Sequence, residues 1–311
     1  MLTLAAVRAV HFAVTIQAVG ALLFICILGR LPAPASDATA SACRWLMRAG
    51  ILSAAAVLPT GFAWLALQAA DMTGRTVTEA WNDGAVALLL FRTHAGVVWW
   101  VRFAIATALL IDLCALAFLR RAPTEVAVAG GFLLAVANFV SCAWLGHAGS
   151  DLGAYASLHL AAHGLHMLGA ALWLGGFVPL AMLLSRALRS GDAAAATAAR
   201  AASLSFGNIA LVAVGAIVVS GIATVALVVR DVSDLTTGPF AGLLATKLVL
   251  FSLMLALAAT NRLRLVPRLA ASNDASAATR LWWSVLGELV LGLLILLAVG
   301  ALGITPPGAE E

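Results

Sequence analysis

Six histidines are the side chains of this 311-residue chain best suited to chemistry: His11, His94, His147, His159, His163 and His166. Three of them recur at helical spacing, as His159-x3-His163-x2-His166. On a helix this spacing sets all three rings on one stripe. Neighbours three or four residues apart are about 5–6 Å apart at Cβ, so His159 with His163, or His163 with His166, can share one metal ion. Seven residues rise about 10 Å, so all three do not easily meet one ion on a straight helix. The spacing therefore predicts two successive sites, or one site with a relay beneath it. Met167 adds a thioether beside the stripe. Imidazole with thioether suits copper, whereas imidazole alone also suits zinc, iron or haem. Asp151 is a candidate outer partner that accepts a ring N–H. The plainer alternative is a polar helix face buried against other helices.

A second set of candidates lies in otherwise apolar stretches: Arg102, Lys247, Asp112 and Glu288. Ionisable groups are costly in hydrocarbon, so a functional role or an internal partner is the default expectation. Glu288 and Asp112 are candidates for an inner cation or proton stop, with snorkelling to the interface the plainer account of Asp112. The four cysteines, Cys26, Cys43, Cys114 and Cys142, include no C-x-x-C pair. Their spacing fits neither a disulfide framework nor a structural zinc site. Cys26, Cys43 and Cys114 are candidates for receiving Cu(I) as thiolates, against the commoner role of free cysteine as a small hydrophobe.

The elements that position these groups lie in a membrane. The chain is 63% hydrophobic and only 10% charged, with a mean hydropathy of +1.05. A soluble domain carries roughly 25% charged residues, so this surface is not built for water. Cytosolic enzymes, disulfide-stapled secreted domains and disordered tails are excluded. A net charge of +4 with no long Lys/Arg run argues against nucleic-acid binding. The sequence has no G-x-x-x-x-G-K-[ST] motif for an ATP-driven pump, and the expected function is not enzymatic.

Requiring about 20 apolar residues per crossing predicts an all-α polytopic bundle of eight spans in a single domain, 1–311. The spans fall near 7–29, 45–68, 97–119, 125–145, 159–184, 206–229, 240–262 and 281–303. The first run is expected to be a retained span: no Lys/Arg cluster precedes it, and it is longer than a usual signal core. Twelve of the 18 basic residues fall in the odd-numbered connections, at Arg30, Arg44, Arg48, Arg120, Arg121, Arg186, Arg189, Arg200, Arg262, Arg264, Arg268 and Arg280. Positive charge stays in the cytoplasm, so both termini are expected on the periplasmic side. That orientation gathers all six histidines in the outer half and leaves Cys26, Cys43 and Cys114 on the inner side.

Several stretches together resemble the CopD/PcoD family of copper-resistance membrane proteins. They are Arg8-Ala9-Val10-His11-Phe12 with Gly20, Gly146-His147-Ala148, the histidine stripe, and Ala170-Ala171-Leu172-Trp173-Leu174-Gly175-Gly176. Ser220-Gly221, Gly242-Leu243-Leu244 with Lys247, Asn261-Arg262 with Pro267, and Glu288 extend the likeness over most of the chain. The most specific piece is the helix with histidines followed by Trp-Leu-Gly-Gly. The resemblance implies an inner-membrane protein of copper homeostasis that takes copper from a periplasmic CopC-type carrier and moves it inward. It transfers a metal role to His11, His147, His159, His163 and His166; His94 and Met167 are weaker candidates on residue type and position alone. Two other readings stay open. One is a membrane cytochrome holding b-type haem between histidines such as His11 and His163. The other is a non-transporting partner that docks a copper protein or delivers metal.

Overall fold

The computed structural model describes residues 2–31, 37–118, 125–146, 149, 153–228, 235–271 and 275–305. Every regular element among them is helical. The chain runs through α1 (Leu2–Gly29), α2 (Asp37–Thr73), α3 (Val77–Asn82), α4 (Ala85–Arg92) and α5 (His94–Phe118). Then come α6 (Glu125–Val140), closed by a 3-10 turn at Ser141–Leu145, α7 (Ala156–Gly175), α8 (Phe177–Ser190) and α9 (Ala193–Val228). After α10 (Gly238–Thr260) a π-helical turn, Asn261–Leu265, leads into α11 (Val266–Ala271), and α12 (Ala275–Leu302) closes the bundle. Eight helical stretches among the described residues are long and apolar enough to cross a membrane, as the hydropathy predicts.

The bundle is organised around α1, which packs against α2, α6, α7, α8, α9 and α12. Of its most apolar window 72% is buried, against 17% for α9 and 11% for α10, whose apolar faces are left for lipid. Glycines let α1 sit this deep. A Cβ on Gly20 would overlap the Gly175 carbonyl, and one on Gly175 would lie 2.7 Å from the Ile16 carbonyl oxygen. Such backbone approach is the usual reason for small residues at membrane helix crossings.

The fifth span is broken at the same place. Helix α7 ends at Gly175, and α8 restarts at Phe177 with Pro179 in its first turn, where a missing N–H costs nothing. A Cβ on Gly176 would run into the Phe206 ring. Trp173 is fully buried and meets Phe177 and Phe251 edge to face, with centroids 6.0 and 5.9 Å away. The Trp-Leu-Gly-Gly segment thus serves packing: it locks α7 and α8 onto α1 and α9.

Helices α2, α8 and α9 run past their apolar stretches at the end that carries Arg44, Arg48, Arg186, Arg189 and Arg200. There Arg186 donates to Ser41 Oγ at 2.6 Å and ties α8 to α2. At the opposite end the connection between α2 and α5 folds into α3 and α4. Thr76 and Glu79 form a reciprocal capping box that starts α3, and Arg75 pairs with Asp83. Hydrogen bonds from the Thr76 backbone and side chain hold the Glu79 carboxyl below the usual carboxylate range, with Arg75 adding to the shift.

Candidate metal site and its surroundings

The histidine stripe opens α7. His159 is buried, and His163 and His166 are half-buried. His166 Nδ1 lies 3.1 Å from the Ile217 carbonyl and 3.2 Å from Ser220 Oγ on α9. A carbonyl only accepts, so Nδ1 donates and Nε2 keeps its lone pair for a metal. Gly221 completes this seat: a Cβ there would touch the ring at 3.4 Å. Lys247 of α10 and His163 are both within electrostatic reach of His166. Met167 is buried in the apolar core.

No group of three His, Cys, Asp or Glu side chains among the described residues is close enough to hold one metal ion. His147 and Asp151 lie outside the described residues. His94 is exposed as the first residue of α5.

His11 sits in a different constellation. Its Nδ1 lies 2.9 Å from Thr60 Oγ1, and its Nε2 lies 2.6 Å from Arg102 Nη2. Thr60 donates its own hydroxyl proton to the Ala56 carbonyl, so it accepts from Nδ1, and Nε2 accepts from the guanidinium. A metal at Nε2 would have to displace Arg102. Arg102 is 2% exposed and also donates to the Asn138 carbonyl at 3.0 Å, Ser141 Oγ at 2.9 Å and Cys142 Sγ at 2.7 Å. Asn138 returns a hydrogen bond to the Arg102 carbonyl at 2.9 Å. Trp99 lies against the guanidinium, 5.2 Å from its centre to the ring. Arg8 stacks over Trp64 at 4.9 Å and donates to the Gly303 carbonyl at 3.0 Å. Among the described residues no carboxylate pairs with Arg8 or Arg102. This part of the bundle, between α1, α2, α5 and α6, holds two cations and is electrostatically hostile to a third.

The two acids inside spans, Glu288 buried and Asp112 half-buried, have neighbours of their own. Glu288 of α12 is 3% exposed and accepts from Asn261 Nδ2 at 2.8 Å. Both line a cavity of about 380 Å³. Asp112 of α5 rests over Gly131 of α6, where a Cβ would lie 2.7 Å from Oδ2, and that oxygen has no hydrogen-bond partner. Cys26 is half-buried on α1 and Cys114 is exposed on α5. Sequence reasoning singled out Arg102 and Glu288 but missed their partners. Asn138, Ser141 and Cys142 follow Arg102 by 36 to 40 residues, and Asn261 precedes Glu288 by 27. The one local signal was an amide standing alone in an apolar run at Asn138; Asn261 stands beside Arg262, where an amide draws no notice.

The fold and the stripe define the class: a polytopic helical membrane protein with a three-histidine stripe at one end of a glycine-packed bundle. The comparisons give the family. The family described as copper resistance protein D-like, N-terminal domain, matches residues 1–158, and copper resistance protein D matches residues 200–302. Copper resistance protein D of Pseudomonas syringae pv. tomato is 30% identical over 236 residues, 72% of each chain. Inner membrane protein YebZ of Escherichia coli is 29% identical over 220 residues, 70% of this chain and 71% of that one. The chain belongs to the copper resistance protein D family. No solved structure matches it.

Proposed function

We propose that this protein takes copper from the periplasm at the histidine stripe of α7 and moves it toward the cytoplasm. The observation that carries the proposal is the imidazole pair His159–His163 on one face of a span, in a chain of the copper resistance protein D family. The name of the YebZ relative supports an inner-membrane setting. The arginine-rich helix extensions support an orientation with both termini outward, and that places the stripe at the periplasmic face.

His159 and His163 form the receiving pair. The ammonium of Lys247 bears on the His166 end of the stripe and disfavours a cation there. His147, on the connection before α7, is the natural third ligand, and His166 serves as a relay beneath. Arg8 and Arg102 exclude a copper path between α1, α2, α5 and α6. The route therefore follows α7, α9 and α10. A periplasmic CopC-type carrier is the proposed donor of the metal. The haem alternative uses His11 as an axial ligand, and His11 would have to give up its Arg102 bond to serve. Purified protein with His159→Ala and His163→Ala together should lose its bound copper. An unchanged copper-to-protein ratio would overturn the assignment.

A further inference from the structure

The cavity beside Glu288 belongs to a different chemistry from the histidine stripe. It lies among α7, α8, α9, α10, the π-helical turn and α12, walled by Trp173, Phe177 and Phe206. Its volume of about 380 Å³ is ample for several waters, each of which needs about 30 Å³. Its polar lining is Ser203, Asn261, Glu288 and Arg262. Glu288 spends one hydrogen bond, from Asn261 Nδ2 to Oε2. Asn261 is 8% exposed, and its Oδ1 is buried with no hydrogen-bond partner. Ser203 Oγ gives its proton to the Ala199 carbonyl at 2.7 Å, which leaves its oxygen able to accept. None of the lining residues is Cys, His or Met.

Positive charge does not reach the carboxylate from the protein. Charged or titratable side chains on the surrounding elements are Arg8, His11 and Cys26 on α1, Arg186 and Arg189 on α8, Arg200 on α9 and Lys247 on α10. His159, His163 and His166 on α7, Arg262 and Arg264 on the π-helical turn, Arg268 on α11 and Arg280 on α12 complete the set. Of these only Arg262 lines the cavity, and it is exposed and bound to the Gly207 carbonyl at 2.8 Å and Asn208 Oδ1 at 3.4 Å. Among the described residues no Lys or Arg nitrogen comes within 4.0 Å of Glu288. A buried carboxylate with one amide donor is unstable as a bare anion. Asn261, whose Oδ1 is orphaned, lines the same cavity, and the two residues together call for a positive guest. Oxygen donors without sulfur or imidazole select hard cations and disfavour Cu(I). The π-helical turn that presents Asn261 is a distortion often found at functional sites.

We infer that Glu288, Asn261 and Ser203 form a site for one hard monovalent cation, a proton or sodium, separate from the copper site. Glu288 carries the proton or supplies the charge, Asn261 Oδ1 and Ser203 Oγ complete the donor set, and cavity water connects the guest to the Arg262 rim. This inference does not rest on copper binding at α7.

The test uses the full chain in detergent or lipid, with infrared spectroscopy across a pH titration and radioactive sodium binding. Glu288→Gln keeps the shape, and Asn261→Ala is a second variant that spares the carboxyl. A protonated-carboxyl band at neutral pH that vanishes in Glu288→Gln identifies the proton. In that case Asn261→Ala keeps the band but moves the pH at which it is lost. Sodium bound at one per chain and lost in Glu288→Gln identifies sodium, and Asn261→Ala then weakens it several-fold. An ionised Glu288 with no bound sodium overturns the inference. Copper binding that is lost in Glu288→Gln while His159 and His163 are intact overturns it equally, because the site is then a copper site.

Discussion

Gly175→Ala tests the packing that holds the histidine helix in place. The added methyl would lie 2.7 Å from the Ile16 carbonyl oxygen, against the 3.4 Å at which ordinary contact begins. It would also lie 3.0 Å from Gly20 N and 3.1 Å from Gly20 Cα. All three obstacles are backbone, so no rotamer change relieves them and α1 must shift by about 0.7 Å. Helix α1 packs against six other helices and cannot shift alone. Overpacking typically costs about 1–3 kcal/mol, and a backbone obstacle on the central helix puts this case near the upper end. At about 2–4 °C per kcal/mol, the thermal midpoint in detergent should fall by about 6–12 °C. Gly215→Ala on α9 is the control, since its Cβ would meet nothing within 4 Å. It should be neutral or raise the midpoint slightly, because alanine is favoured over glycine in a helix by about 0.5–1 kcal/mol. The readout is the temperature at which half of the purified protein stays monodisperse. Equal midpoints for Gly175→Ala and wild type would refute the close crossing and with it this account of the Trp-Leu-Gly-Gly segment.

Three further outcomes are expected. Arg102→Lys keeps the charge but cannot span His11, Asn138, Ser141 and Cys142 at once. Leaving two or more of these groups unpaired should cost on the order of 3 kcal/mol in thermal stability, and a midpoint like that of wild type would show that the cluster holds nothing. Copper binding by the intact protein should weaken as the pH falls through the histidine range, because only neutral imidazole ligates; a flat profile by metal titration would argue for other ligands. The native carboxyl of Glu79 is depressed, so its contribution to α3 is fully present above the ordinary glutamate range and is lost only as the pH falls through the lower native value. Hydrogen exchange at Val77–Asn82 should therefore stay slow down to the ordinary range and accelerate below it, with Glu79→Gln removing most of the pH dependence.

The eight crossings were readable because each needs only a long apolar run, and the His159–His163–His166 stripe because helical period alone fixes it. The break at Gly175–Gly176 was half readable: glycines and Pro179 mark a kink or a close contact, but within a run from His159 to Leu184 nothing local says that α1 passes against Gly175. The Arg102 cluster was half readable. A lone arginine in an apolar span announces a partner, but His11 lies 91 residues away, and only the fold brings the two together. That same contact separates His11 from the stripe with which its residue type groups it. The Thr76-Val77-Thr78-Glu79 capping signature was present in the sequence, yet apolar-run counting passes over short helices between spans. The π-helical turn at Asn261 has no period of its own for the sequence to show.

Copper uptake into sealed proteoliposomes, with the histidine face outward, tests the central claim most directly. Wild-type protein should accumulate copper inside, and folded protein with His159→Ala and His163→Ala should not. Copper bound by the wild type without any accumulation would contradict the account and assign the protein to docking or delivery.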